Sequence, residues 1–392
     1  MATIQNEAGG GETKVGDLTP LELATNKIYG PDPAAPPLPV APADLTTLAA
    51  LEAAVLPALI RPPCIVAFSG GRDSALVLAI AARVAKREGL PAPVPATIRF
   101  VGIQGAEESS WQELVLRHLR IDERITIDVR TELDFIGPLV GRVLRRHGVL
   151  WPLNIYLHEA MIGYARGGSL LSGFHGDLVF SGEQWRSTNE LLDRRRGPHP
   201  RDPLRLGLAF SPRWVKQLVF RRRVEAVPWL RPVAWKAYVE GLSRAQASAP
   251  RRWDHWIDFV ASRRSFRMES QSMRLLAADA DARHVEPLAD RTVLACMARA
   301  GGTLGIGDRT AIMRSQFTGV LPDQSLARPD KAVFGAAFVG SWTRNFAREW
   351  HGEGVDHDLV DPEILQATWL AEKFDSRAAL LLQAAWLQGQ RQ

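Results

Sequence analysis

Residues 64–88 read CIVAFSGGRDSALVLAIAARVAKRE: a short apolar run, a Gly-Gly turn, then an apolar pattern of helical period. A buried run of five apolar residues bounded by a turn reads as a strand of a parallel sheet, and residues 75–88 read as a helix that ends at Gly89. Strand, Gly-rich turn and helix open a βαβ unit, which requires a parallel partner strand and helices over the sheet. Further strand patterns at 96–102, 125–129 and 169–172 alternate with helical patterns at 110–119, 133–146 and 153–166. The expected fold is α/β, an open parallel sheet with helices on both faces, followed from Glu183 by a mainly helical, Trp-rich C-terminal part.

Upstream, residues 1–43 are rich in Gly, Pro and Ala, and GPDPAAPPLPVAP is the clearest linker, so this segment is expected to be flexible or loosely attached. Folding is expected from residue 44, with Asp44 capping a helix over 45–59. The chain thus divides into an N-terminal segment (1–43), a main domain (44–345) and a helical extension (346–392). With 392 residues, 46% of them hydrophobic, it can bury a full core. Two cysteines, Cys64 and Cys296, make neither a disulfide framework nor a Cys-based metal site, which favours a reducing, cytoplasmic setting. The first residues lack the basic start and apolar run of a signal peptide. The most apolar stretch, 45–60, is interrupted by Glu52 and Pro57 and is shorter than the roughly 20 residues that cross a bilayer, so no membrane partner is expected.

The charge is uneven. Residues 186–267 carry 19 Lys or Arg against 7 Asp or Glu, a balance of +12 in a chain whose net is +5. This stretch reads either as a solvated helical surface or as a docking face for an acidic peptide, a carrier protein or RNA.

The turn itself carries chemistry. In Ser69-Gly70-Gly71-Arg72-Asp73-Ser74 the glycines let the backbone approach a ligand, and the N–H groups at the helix start, with the Ser69 and Ser74 hydroxyls, can hold a polyphosphate. Asp73 would repel phosphate unless a cation lay between them, and Mg²⁺ resolves that conflict. The competing reading is a Gly-Gly turn capped by Ser and Asp. Neither GxxxxGK[ST] nor GxGxxG is present. The loop resembles the SGGxDS loop of ATP-pyrophosphatases, a superfamily with an adenine nucleotide alpha hydrolase-like fold that includes asparagine synthetase and several tRNA-modifying enzymes.

A second segment, Leu171-Ser172-Gly173-Phe174-His175-Gly176-Asp177-Leu178-Val179-Phe180-Ser181-Gly182, follows the strand at 169–172 and resembles the asparagine-synthetase signature SGxGxDExFxG. The resemblance implies that Asp177 and Asp73 share the magnesium of Mg-ATP and adds Ser172 and Gly173 to the nucleotide site. Both aspartates also follow parallel strands, at the sheet edge where such folds bind ligands. The alternative is that Asp177 caps the next turn. Met268–Asp290 resembles the family stretch leading to EARxPFLD, and Arg328-Pro329-Asp330-Lys331-Ala332-Val333-Phe334 resembles Arg-x-Lys-x-x-Phe, each with one residue added. By that resemblance Lys331 contacts the α-phosphate; the competing reading is an exposed loop lysine.

Departures narrow the reading. Residue 2 is Ala2, where glutamine-dependent members begin with a cysteine nucleophile, and only 68 residues precede the loop. The amine is therefore expected to be free ammonia, ammonia from a separate amidotransferase, or an amine on the substrate, as in the related β-lactam synthetases and lasso-peptide cyclases. Phe174 and Leu178 stand where the family has glutamates, which leaves the general base open; His175 is the first candidate, with Glu183 and Glu159 behind it. The resulting expectation is an ATP-dependent, AMP-forming amide ligase acting on a small-molecule or peptide carboxylate, with a leader peptide or carrier protein as an optional partner on 186–267. A tRNA-modifying ATP-pyrophosphatase and a non-catalytic binding subunit are the alternatives, and nucleic acid is the less favoured partner.

Overall fold

The computed structural model of the chain describes residues 18–103, 105–181, 183–328 and 335–390. Five strands form one parallel sheet: β1 (Cys64–Ala67), β2 (Val94–Phe100), β3 (Ile125–Val129), β4 (Ser169–Leu171) and β5 (Arg283–Val285), in the order β3-β2-β1-β4-β5. The helices that shape the site are α1 (Thr47–Leu59), α2 (Arg72–Glu88), α3 (Ser109–Leu119), α4 (Pro138–His147), α5 (Gly176–Ser181), α6 (Arg264–Ala278), α7 (Arg291–Gly301) and α8 (Arg309–Phe317). The expected α/β architecture is present. The chain leaves β1 toward β2 and β3 on one side and returns to β4 and β5 on the other, so the strand order reverses between β1 and β4. Open α/β sheets bind ligands at such a point.

Residues of β1 alternate between two apolar layers, as the two-residue period of a strand dictates. Cys64 and Val66 join a core with α1, α2 and α7, whereas Ile65 and Ala67 join one with α4 and the C-terminal helices. Of those last helices, Ser341–Glu349, Pro362–Leu370 and Ala379–Gly389, the first is tied to the segment after β3 through Asp134. Its buried carboxylate accepts from the Gly340 and Thr343 amides and, at 2.6 Å, from the Thr343 hydroxyl.

Several local expectations are corrected. The first long helix is capped by Thr46, whose hydroxyl accepts from the Ala49 amide at 3.1 Å, rather than by Asp44. The helix expected over 153–166 is split into 3₁₀ turns at Leu153–Leu157 and Gly163–Ala165 around a four-residue α-helix at Glu159–Ile162. Gly163 weakens any regular continuation there. From residue 18 onward the segment expected to be loosely attached is a strap anchored on the body. Glu22 of the short helix Pro20–Thr25 pairs with Arg264, Asp32 with Arg267, and the Pro36 and Pro42 carbonyls accept from Arg291 and Arg299. Guanidinium groups hold it together with apolar anchors, since Ala24 and Ile28 are buried and Leu21, Leu23 and Leu38 pack against the core. Among the described residues no helix is long and apolar enough to cross a membrane.

Candidate active site

The loop after β1 turns because Gly70 takes φ +87°, a left-handed conformation that favours glycine. A Cβ at Gly70 would lie 2.9 Å from the Gln112 side chain of α3, so the loop is also too close-packed for another residue. Ser69 and Ser74 hold its shape: their hydroxyls lie 3.2 Å apart, the Gly71 amide donates to Ser69 Oγ, and Ser74 Oγ donates to the Gly71 carbonyl. Gln112 donates to the Ser69 carbonyl at 3.1 Å. From the far side, buried Arg328 donates to the Gly70 carbonyl at 3.0 Å, pairs with buried Glu108 and lies 5.0 Å over the Trp111 ring. Arg72 reaches Thr310 and the Leu326 carbonyl, tying the start of α2 to α8.

The loop after β4 packs directly on this one. A Cβ at Gly173 would sit 2.8 Å from the Ser74 amide nitrogen, and one at Gly176 would sit 2.3 Å from Asp73 Cγ. Only glycine leaves room for the Asp73 carboxylate there. Asp73, in the first turn of α2, and Asp177, in the first turn of α5, are thereby brought to one place. Arg309, the first residue of α8, bridges them: one guanidinium nitrogen contacts Asp73 and another lies 2.7 Å from Asp177 Oδ1. Asp73 and Arg309 are largely buried and Asp177 is about half exposed, so the bridge faces the solvent side of the strand edge. Ser172 does not turn toward the loop; its hydroxyl lies 2.9 Å from His284 Nε2. Lys331, with the rest of 329–334, and Gly182 lie outside the described residues.

Beside the aspartates is a buried acid–base cluster. His175 takes φ +67°, unusual for a side chain of its size, and its ring is enclosed and stacked on Phe266 at 3.8 Å between centroids. Its Nδ1 is 3.4 Å from Glu269 Oε2 and its Nε2 is 3.5 Å from Glu286 Oε2 and 3.3 Å from Ser270 Oγ. Burial pushes the Glu269 carboxyl up to about 7; His175 pulls it down, and Glu286 and Asp177 raise it further. Burial also acts to raise Glu286, but hydrogen bonds and charge from His175 and His284 hold it well below the usual carboxylate range. His284 Nδ1 is 3.1 Å from Glu286. Burial, reinforced by His284, pushes His158 down to about 3, so that ring stays neutral. Two adjacent carboxyl groups pushed in opposite directions are a common arrangement for proton transfer.

Sequence reasoning reached His175 but missed Glu269, Glu286 and Arg309. The signal for Glu269 was a glutamate among Phe266, Met268 and Met273, on what becomes the buried side of α6. No sequence pattern distinguished Arg309 from the other arginines. Of the weaker base candidates, Glu183 is raised to about 7 by burial and accepts from Asn189, and Glu159 is raised by burial and by Asp279. Neither has a contact to His175 among the described residues. In 186–267, ten of the nineteen cations, Arg196, Arg205 and Arg244 among them, have a carboxylate within 4 Å, so about half of that charge is answered internally. Among the described residues no group of three or more His, Cys, Asp or Glu is placed to hold a metal alone.

The asparagine synthase family model matches residues 47–388, nearly the whole described fold, and the chain belongs to that family. No match was found among curated proteins.

Proposed function

We propose that this member of the asparagine synthase family is an AMP-forming amide ligase, which adenylates a carboxylate and transfers the acyl group to ammonia or to a substrate amine. The observation that carries the reading is the convergence of Asp73 and Asp177 at the strand reversal, made possible by Gly173 and Gly176 and bridged by Arg309. A Gly-rich loop leading into a helix N-terminus beside two carboxylates suits a nucleotide that travels with Mg²⁺. Two carboxylates fit Mg²⁺, which takes few protein ligands and completes its shell with phosphate oxygens and water. Asp73 and Asp177 would hold it in place of the Arg309 guanidinium that they share in this structure, and bound there it would neutralise phosphate charge.

The remaining chemistry falls to the chain's own groups. A substrate carboxylate oxygen attacks the α-phosphorus of ATP and pyrophosphate leaves, with Arg309 offering its positive charge to the phosphates. The amine nitrogen then attacks the acyl carbon, AMP leaves with the electron pair, and the proton lost by nitrogen passes to the Glu269–His175 couple. An acid near 7 is well placed for that role, since it is partly ionised at neutral pH and still basic enough to take the proton. The optional leader-peptide or carrier partner would dock on the helical region, where Leu204, Phe210, Trp214 and Leu218 stand exposed among arginines.

The test is product analysis of ATP turnover with panels of carboxylates and amines. Amide, AMP and pyrophosphate in equal amounts support the reading. ADP and phosphate as products, or adenylate passed to a tRNA rather than to an amine, would overturn it.

A further inference from the structure

We propose that the amine partner is an amphoteric molecule of amino-acid to dipeptide size, bound in the cavity between α6, β5 and the N-terminal strap. This rests on the amide-ligase reading. The cavity holds about 600 Å³, within the range of small-molecule sites. Ala50, Ala53 and Ala54 of α1 and Phe266 of α6 give it apolar walls.

Its polar groups fall into two sets. Ser270 and Glu286 line it, and both also touch His175, so the cavity abuts the acid–base cluster. An ionised carboxylate with a hydroxyl beside it suits an ammonium group. Arg274 and Arg283 also line it. Arg274 lies one turn along α6 from Ser270, about 6 Å, and Arg283 lies three residues before Glu286, about 10 Å along an extended chain. The other rim arginines are engaged by the strap, Arg267 by Asp32 and Arg291 by the Pro36 carbonyl. Asp290 is engaged as the cap of α7, accepting from Thr292 and Val293. The Arg274 and Arg283 guanidinium groups are exposed and have no ion pair or hydrogen bond among the described residues.

Ammonia would leave both arginines unanswered. A molecule with an ammonium at one end, a short apolar body and a carboxylate several bonds away answers both sets. Its nitrogen, after losing a proton to the His175–Glu269 couple, would form the amide as AMP leaves.

Isothermal titration of the full chain with glycyl-leucine and 5-aminopentanoate, against n-butylamine, butyrate and ammonium chloride, tests this. The amphoteric probes should bind about tenfold or more tightly than the singly charged ones, the scale of one charge-assisted hydrogen bond. The double variant Arg274→Gln/Arg283→Gln, at exposed and unpaired positions, should keep its circular dichroism and lose that advantage while binding n-butylamine as before. Equal binding of ammonium or n-butylamine, or an advantage that survives in the variant, overturns the proposal. Pyrophosphate release measured on the same protein separates the two readings. Arginine-dependent binding in a chain that never releases pyrophosphate overturns the ligase reading while the cavity keeps its ligand class. Pyrophosphate release with no probe binding overturns the cavity proposal alone.

Discussion

Replacing Glu269 by Gln should make the protein more stable and less active, and burial of the side chain sets both effects. In the folded protein the carboxyl ionises near 7, against an ordinary value of 4.5. Between those pH values the folded state keeps a proton that the unfolded chain has released, so stability falls as pH rises through the window and the penalty is complete above about pH 7. The contribution amounts to roughly 2–3 kcal/mol between pH 5 and pH 8. Glutamine matches the shape and cannot ionise, so denaturant titrations of wild type and Glu269→Gln should diverge by that amount between the two pH values, the variant gaining. The low-lying Glu286 contributes oppositely, but it is present in both proteins and cancels in the comparison. Acyl transfer should fall by about 100-fold or more, the scale of a lost general base, and the rise of wild-type rate with pH through about 7 should vanish. Pyrophosphate release in the adenylation half should persist. Parallel stability curves, or a variant that forms amide normally, would refute the assignment of Glu269 as the proton acceptor.

Asp73→Asn and Asp177→Asn should each abolish Mg²⁺-dependent exchange of pyrophosphate into ATP, measured with labelled pyrophosphate; wild-type exchange in either would sink the shared-cation role. Gly176→Ala should leave the helices intact by circular dichroism yet eliminate exchange, because the new Cβ occupies the space of the Asp73 carboxylate. Arg328→Ala should cost about 3–5 kcal/mol in denaturant titration, since it strips the guanidinium from buried Glu108, and Arg328→Ala/Glu108→Ala should recover part of it. Lys331→Ala should retain ATP affinity while cutting product formation by about 100-fold, and near-normal amide formation would reduce that segment to a loop.

The strand-turn-helix at 64–88 was legible from residues alone because it is local: a buried strand needs a continuous apolar run, and the tight turn needs glycine at Gly70 whatever lies elsewhere. The same locality, together with family resemblance, brought out Asp73 and Asp177. Their actual meeting depends on contacts between loops about a hundred residues apart, yet Gly173 and Gly176 left a trace of it, since close backbone approach demands glycine at fixed positions. Arg309, Glu269 and Glu286 left no such trace. An arginine becomes a bridge, and a glutamate a group that ionises near 7, only through what packs around it, and α6, α8 and β5 supply those surroundings from more than ninety residues away in sequence. The strap illustrates the same limit. Its Gly- and Pro-rich composition predicts little intrinsic order, and the arginines that fix it, Arg264, Arg267, Arg291 and Arg299, belong to helices in the second half of the chain. Sequence therefore determined the elements and the chemistry of the turn, where short-range sterics decide. Tertiary structure alone determined which charges are buried together, because desolvation is a property of the assembled neighbourhood.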